Sequence, residues 1–245
     1  MQDMTVNPKD KHGERSGKTI GILQPGYLPW LGFFEQVLVS DVFVIYDDVQ
    51  YDKHGWRNRN RIKTANGIQW LSVPVLTSRN DSPRITDIKI DNRSNWRKKH
   101  LLSLTQSYSR APYYKDYIPL FEDVYAREWH YLVDLDMHLI LALSRLLGID
   151  TDRIVRASTL DVSGNRIDRL IKLCKLFDAT VFYEGAAGRS YIDDSTFLTH
   201  GITVKYQDYR HPMYSQLHGG FVPCLSVVDL LFNHGRDSLS ILSSG

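Results

Sequence analysis

The 245-residue chain carries 30 Lys and Arg against 28 Asp and Glu, a formal net charge of +2, and 42% of its residues are hydrophobic. That length allows one large α/β domain or two small ones, and the near-neutral balance argues against nucleic acid or an anionic membrane as partner. No run approaches the roughly 20 apolar residues of a membrane span, and the polar N-terminus lacks the apolar centre of a secretion signal, so a cytoplasmic protein is expected. Cys174 and Cys224 fit a reducing compartment and are expected to stay unpaired.

Residues 1–17 are charged and aperiodic and are expected to form a disordered leader. From Thr19 to Tyr51 the chain reads as a βαβ unit. An apolar strand (Ile20 to Leu23) leads into a turn of Gln24, Pro25 and Gly26, a helix, and a second strand (Val42 to Tyr46) closing on Asp47 and Asp48. Ligands of open α/β sheets bind beyond the carboxyl ends of the strands, where Gln24, Asp47 and Asp48 fall. The segment WRNRNRIK, Trp56 to Lys63, alternates with period two. Arg57, Arg59, Arg61 and Lys63 therefore share one face, and Asn58, Asn60 and Ile62 the other. Asn66-Gly67 then turns the chain into Ile68 to Val75, giving a β-hairpin attached to the sheet.

Ile85 to Asp91 alternates as a short strand. From Asn95 the pattern becomes helical, and Pro112 and Pro119 are each expected to begin or end a helix. The longest helix is expected over Trp129 to Leu147, stopped by Gly148. The last third resumes α/β alternation, with strands over Ile154 to Ala157, Thr180 to Tyr183 and Ile202 to Tyr206 and an amphipathic helix over Ile167 to Phe177. The expected organisation is one α/β domain over 18–236 with a helical insertion near 95–150, followed by a tail over 237–245.

Four stretches could carry chemistry. PGYLPWLGFF has the frame of the HxGH signature of nucleotidyltransferases, but Trp30 and Phe33 stand at the histidine positions, and neither can serve as a charged phosphate donor. The likeness therefore reaches a Rossmann-like, nucleotidyltransferase-like fold and not the reaction. Asp47 and Asp48 could bind an amine, hold sugar hydroxyls or share a divalent metal with a diphosphate, or simply cap a turn. Strand alternation sends only one of them into a crevice. The cations of Trp56–Lys63 suit a diphosphate, with Trp56 and Trp70 beside them for stacking on a base or sugar ring, or they protect an edge strand. In the last third, Glu184, Gly188, Arg189 and Tyr191 surround a small-residue loop that lets backbone N–H groups approach an anion. Gln207, His211, Tyr214 and Gln216 follow, with His211 either a general base or a structural residue. No metal-ligand spacing of Cys and His, Walker or dinucleotide fingerprint occurs, so no metal and no cofactor are expected.

The segments GILQPGYLPWLGFFEQ, SDVFVIYDDVQYDKHGWRNRNRIK, WLSVPV, IDNRSNWRKKH, SYSRAPYY, GRSYID, YQDYRHPMYSQ and FVPCLSVVDLLFNHG resemble, in order from residue 18 to 235, the WbqC-like protein family. The resemblance implies a role in bacterial O-antigen or other surface-polysaccharide biosynthesis, with acyl or amino-acyl transfer to amino sugars. It carries over onto Gln24, Tyr27, Trp30, Asp47, Asp48, Trp56, Asn58, Arg59, Asn60, Lys63, Gly188, Arg189, Tyr191, Gln207, His211, Tyr214 and Gln216. Where the family pattern reads S-G-x-G-G-R, this chain has E-G-A-A-G-R from Glu184 to Arg189. A carboxylate there suits an amine-bearing ligand better than a phosphate.

The expected function is a transferase acting on a small molecule, sugar-linked or a nucleotide-sugar, in polysaccharide or natural-product biosynthesis. Arg57, Arg59 and Lys63 or Arg189 would hold an anionic portion of the substrate, Asp47 or Asp48 would orient the amine, and His211 would take its proton. Two other readings stay open: a degenerate HxGH-type adenylate-forming amide ligase, and a non-catalytic binding protein of a glycosylation complex.

Overall fold

Five short parallel strands form the centre of the molecule. The structure, a computed structural model, describes residues 17–53, 55–77 and 82–245, so the expected leader lies almost wholly outside the described residues. In chain order the central strands are β1 (Thr19–Leu23), β2 (Val42–Ile45), β7 (Ile154–Arg156), β8 (Val181–Glu184) and β9 (Thr203–Tyr206), arranged β7-β2-β1-β8-β9 with every pairing parallel. The chain runs outward from β1 through β2 to β7 and then returns to the other side of β1. The direction of winding reverses between β1 and β8, which opens a crevice at their carboxyl ends. The Rossmann-like α/β fold expected from the sequence is the one observed.

Apolar runs such as VFVI are buried on both faces, as a covered parallel sheet demands. Along β1, Ile20 and Ile22 point into a cluster with Leu170, Leu173, Phe182 and Phe197, built on α5 (Arg166–Leu176) and α6 (Asp194–Leu198). On the opposite face Phe43 and Ile45 join Phe33, Phe34 and Val37 of α1 (Leu31–Val39). The same cluster takes in α2 (Trp96–Tyr108), α3 (Tyr114–Ala126), α4 (Leu132–Leu146) and α7 (Val227–His234). Each fully buried side chain of this size contributes roughly 1.5–3 kcal/mol. Gly21 is required where α1 returns to the sheet: a Cβ there would stand 2.5 Å from Ser40 Oγ and 2.8 Å from the Phe43 ring.

Several expectations are corrected. The hairpin of β3 (Arg59–Thr64) and β4 (Gly67–Ser72) forms, but as a separate two-stranded sheet. Its outer backbone groups go to loops instead of a central strand: Arg61 O accepts from Ser226 N and Lys63 N donates to the Tyr108 hydroxyl. Ile85 to Asp91 is a 3-10 turn (Ile85–Asp87) followed by the two-residue β6 (Lys89–Ile90), which pairs with β5 (Val75–Leu76). The three-residue step between buried Ile85 and Ile88 suits that turn. Pro119 lies inside α3, whose buried Ile118, Phe121 and Val124 hold the helix across the missing N–H. The expected Trp129 start of the long helix lies in the irregular segment before it, with Trp129 Nε1 donating to Val124 O, and the helix begins at Leu132. Residues 237–245, set apart as a tail, include α8 (Ser238–Leu242), and Leu242 is fully buried.

Asp47 and Asp48 leave β2 in opposite directions, and both are engaged by cations. Asp47, completely buried, accepts from Arg156 Nε at 2.6 Å and from Ser158 N and Oγ at 2.9 and 2.8 Å, tying β2 to the end of β7. Asp48 accepts from Arg169 of α5 at 2.5 Å on the other face. Both cysteines are free. Among the described residues no helix is long and apolar enough to cross a membrane. Replacing Asp47 by Ala strands a guanidinium and two further donors, so Asp47→Ala is expected to lose about 3 kcal/mol of stability in urea denaturation followed by circular dichroism. A loss under about 0.5 kcal/mol would show that this tie is dispensable.

Candidate functional site

The turn that follows β1 is held open from below. Arg57 Nη1 donates to Gln24 O and Pro25 O, both at 3.0 Å, while Tyr27 N donates to Arg57 O and Asn60 Nδ2 donates to Leu28 O. Gly26 allows the close approach, since a Cβ there would stand 3.1 Å from Trp56 O. Leu28 sits at φ 46°, a left-handed value that a branched side chain adopts only under constraint. The Tyr27 ring descends into the core, where its hydroxyl meets His100 Nδ1 at 2.8 Å and the Tyr125 hydroxyl. Burial pulls His100 down to about 4, so its ring is neutral. Arg57 is itself largely enclosed; burial lowers its pKa, and the fully buried Asp136 of α4 acts in the opposite sense.

Above this turn lies a cavity of about 560 Å³ at the carboxyl ends of β1 and β8. Its aromatic wall is Tyr27, Trp30, Phe33, Trp56 and Tyr209, and its polar lining is Gln24, Gln36, Arg57, Asn60, Arg61 and Gln207, with Cys224 at the edge. Gly185, Ala186 and Ala187 close the β8 side with small residues. Trp30 and Tyr209 meet edge to face at 5.8 Å. Gly32 is required beneath the Trp30 indole, which a Cβ would strike at 2.3 Å. Among the lining residues there is no carboxylate and no histidine.

A chain of amides forms the floor. Gln207 Nε2 donates to Gly32 O at 2.7 Å and to Glu35 Oε2 at 2.6 Å, Gln36 Nε2 donates to Gln207 Oε1 at 3.0 Å, and the Tyr183 hydroxyl donates to Glu35 Oε1 at 2.9 Å. Arg61 Nη2 donates to Cys224 O at 2.9 Å, and the Arg61 guanidinium lies 5.2 Å from the Trp56 ring and 5.7 Å from the Trp70 ring. Cys224 adopts φ 56° and is half-buried.

Among the residues singled out in the sequence, Gln24, Tyr27, Trp30, Phe33, Trp56, Arg57, Asn60, Arg61 and Gln207 thus meet at one cavity. The others are placed elsewhere. Asn58 Nδ2 donates to Val73 O, the Arg59 guanidinium lies over Trp70, and Lys63 Nζ, deeply buried, donates to Gly219 O and Gly220 O. The four cations of Arg57 to Lys63 therefore do not present a common charged face, because backbone carbonyls take up Arg57, Arg61 and Lys63. His211 packs between Tyr214 and Phe221, with burial lowering its pKa; it touches Tyr209 but does not line the cavity. Tyr214 donates to buried Asp229, and Gln216 is pinned to the backbone of Val222 through both ends of its amide. Gln36, Tyr209 and Cys224 were not singled out. For Gln36 the available signal was the Glu35-Gln36 pair in an otherwise apolar helix, LGFFEQVLV.

Glu184 faces away from the cavity, accepting from the Tyr191 hydroxyl at 3.0 Å, with Arg166 over the Tyr191 ring and Arg189 over Tyr206. Gly188 is required there, since a Cβ would stand 2.3 Å from Glu184 Cγ. Burial pushes the Glu184 carboxyl up to about 7, opposed by Tyr191 and the Gly185 N–H. The folded chain therefore holds this proton more tightly than the unfolded chain. The associated stability is fully present below the ordinary value of 4.5 and is lost as pH rises through about 7. Glu184→Gln is expected to flatten the fall in urea midpoint between about pH 5 and about pH 8, and at the upper end to be more stable than the parent by on the order of 1–3 kcal/mol. Parallel pH profiles for the two proteins would rule this out.

Among the described residues no group of three or more His, Cys, Asp or Glu could hold a metal ion. No solved structure matches the chain. The uncharacterized protein Rv1507c of Mycobacterium tuberculosis is 37% identical over 223 residues, which cover 90% of this chain and 96% of that protein. The sequence model of the WbqC-like protein family matches residues 24–241, from the first residue of the cavity turn into the C-terminal helix. The chain belongs to the WbqC-like protein family.

Proposed function

We propose that the protein is a small-molecule transferase that joins an acyl or amino-acyl group to an amine on a sugar-like metabolite in the cavity between β1 and β8. The observation that carries this reading is the composition of the cavity wall. Trp30, Trp56 and Tyr209 offer flat apolar faces suited to a sugar ring, Arg57 and Arg61 supply positive charge for an anionic donor or a diphosphate-linked acceptor, and Gln24, Gln36, Asn60 and Gln207 provide neutral hydrogen-bonding groups.

Because no carboxylate or histidine lines the cavity, the reading relies on positioning more than on an immediate general base. Attack of an amine on an already activated ester gains most from holding the two reactants in line. Asp47 and Asp48 have no part in it, being committed to Arg156, Ser158 and Arg169. The HxGH-type adenylation alternative draws no support from the cavity, where the indole of Trp30 and the phenyl of Phe33 stand in place of histidines.

The purified protein, incubated with a uridine-diphosphate-linked amino sugar and acetyl or aminoacyl thioesters, is expected to yield the N-acylated sugar by mass spectrometry. Arg61→Met is expected to lower turnover at least about tenfold without loss of fold. Absence of any mass-shifted sugar across a panel of such donors and acceptors would defeat the transferase reading.

A further inference from the structure

Beside the cavity, the hairpin carries aromatic surface that the fold leaves uncovered. Trp56 is 44% exposed, Trp70 46% and Ile68 48%. Strand pairing sets Trp70 opposite Arg61 and Ile68 opposite Lys63, so Ile68 and Trp70 share one face of the hairpin with Arg59 and Arg61, while Ile62 and Leu71 of the other face are buried in the core. Trp56 packs onto the open face. Its ring lies 5.0 Å from that of Trp70, the Arg61 guanidinium lies against both indoles, and Arg59 lies against Trp70 at 5.2 Å. Single exposed apolar residues are ordinary, but a contiguous patch set among cations marks a place where something binds.

The patch continues the cavity. Trp56 and Arg61 line the cavity and Trp70 does not, so a ligand that fills the cavity and projects past Trp56 meets Trp70 next. The chemistry of the patch says what the projecting part is. Indole surface suits a flat ring. The charge of Arg61 is not spent on a carboxylate, since among the described residues the guanidinium donates to Cys224 O and makes no ion pair. A planar cation held against two indoles suits an anion that is attached to a flat ring. The net charge of only +2 speaks against a long polyanion there.

Resting on the reading of the cavity as the site of a sugar-like acceptor, we propose that the outer face of the hairpin is a second subsite, which holds the nucleoside diphosphate of a nucleotide-linked sugar with the base against Trp70 and the diphosphate at Arg61. Trp70 is then the residue that distinguishes a nucleotide-linked sugar from a free one. Acylation of the sugar amine makes and breaks no bond to the nucleotide, whose binding serves to place the amine in the cavity.

The test titrates the full chain with uridine diphosphate, uridine, inorganic pyrophosphate, adenosine diphosphate and N-acetylglucosamine, followed by nuclear magnetic resonance. The native protein is expected to bind uridine diphosphate at least about tenfold more tightly than uridine or pyrophosphate, because only the diphosphate engages Trp70 and Arg61 together. Trp70→Leu, a change on an exposed face, is expected to lower that affinity at least about tenfold and to leave the affinities for pyrophosphate and N-acetylglucosamine within about twofold. Trp70→Phe, which keeps a ring, is expected to retain most of the affinity for uridine diphosphate. An unchanged affinity in Trp70→Leu, or a native protein that binds N-acetylglucosamine and not uridine diphosphate, overturns the subsite and leaves the cavity reading standing. Binding of uridine diphosphate that depends on Trp70, with no binding of N-acetylglucosamine, supports the subsite and overturns the cavity reading. Failure of both overturns both. A preference of more than about tenfold for adenosine diphosphate over uridine diphosphate overturns the assignment to the acceptor sugar and gives the subsite to a donor that carries an adenine nucleotide.

Discussion

The architecture of the site depends on the insertion of Arg57 beneath the first βα turn. A parallel strand that ends at a change of winding leaves carbonyl groups pointing into the crevice with no neighbouring strand to satisfy them. Here a single guanidinium nitrogen takes both Gln24 O and Pro25 O, and the Arg57 carbonyl in turn accepts from Tyr27 N. This reciprocal bonding welds the hairpin to the turn and maintains Leu28 in its left-handed conformation. It also fixes one wall of the cavity, which Trp56, Arg57, Asn60 and Arg61 help to line.

The hydrogen-bonding groups that line the cavity differ in chemistry from those at the strand ends. On the α1 side, at the cavity, they are neutral amides and arginines backed by carbonyls. The carboxylates at the strand ends serve to fasten elements together: Asp47 holds β7, Asp48 holds α5, and Glu184 is enclosed with Tyr191 on the α5 side. Strand alternation sends Asp47 and Asp48 to opposite faces, where each meets a fixed cation. An acidic residue near the crevice in sequence is thus carried to a position where a fixed cation or hydroxyl meets it. The cavity is left with a polar lining of neutral amides and arginines.

Much of the fold was legible because it rests on local rules. The apolar runs at Ile20, Val42 and Val181 are strands, since a sheet covered on both faces needs continuous hydrophobic stretches, and the alternating TVKY from Thr203 is the edge strand. The hairpin forms where the Asn66-Gly67 signal stands, with Ala65 and Asn66 as the turn and Gly67 at φ 103° opening β4. Local rules failed where packing overrode them. Pro119 stays inside a helix because the core on its buried face holds that helix together, and the last residues fold because Leu242 finds an apolar seat. The hairpin stands apart from the central sheet because its outer backbone groups find partners in loops distant in sequence.

By itself the sequence determined the parallel α/β character and the family, and it singled out Gln24, Trp30, Trp56, Arg57, Asn60 and Gln207, which the fold brings to one cavity. Only the tertiary structure decided which groups share a space. The period of a strand reports the face a residue takes, but whether a cation on that face meets a ligand or a carbonyl depends on the loop opposite, as Lys63 against Gly219 and Gly220 demonstrates. Gln36 and Gln207 lie far apart in the chain, and their joined amides exist only because α1 and the segment after β9 converge on the same end of the sheet. Convergence of that kind is set by long-range packing, which no local pattern of residues encodes.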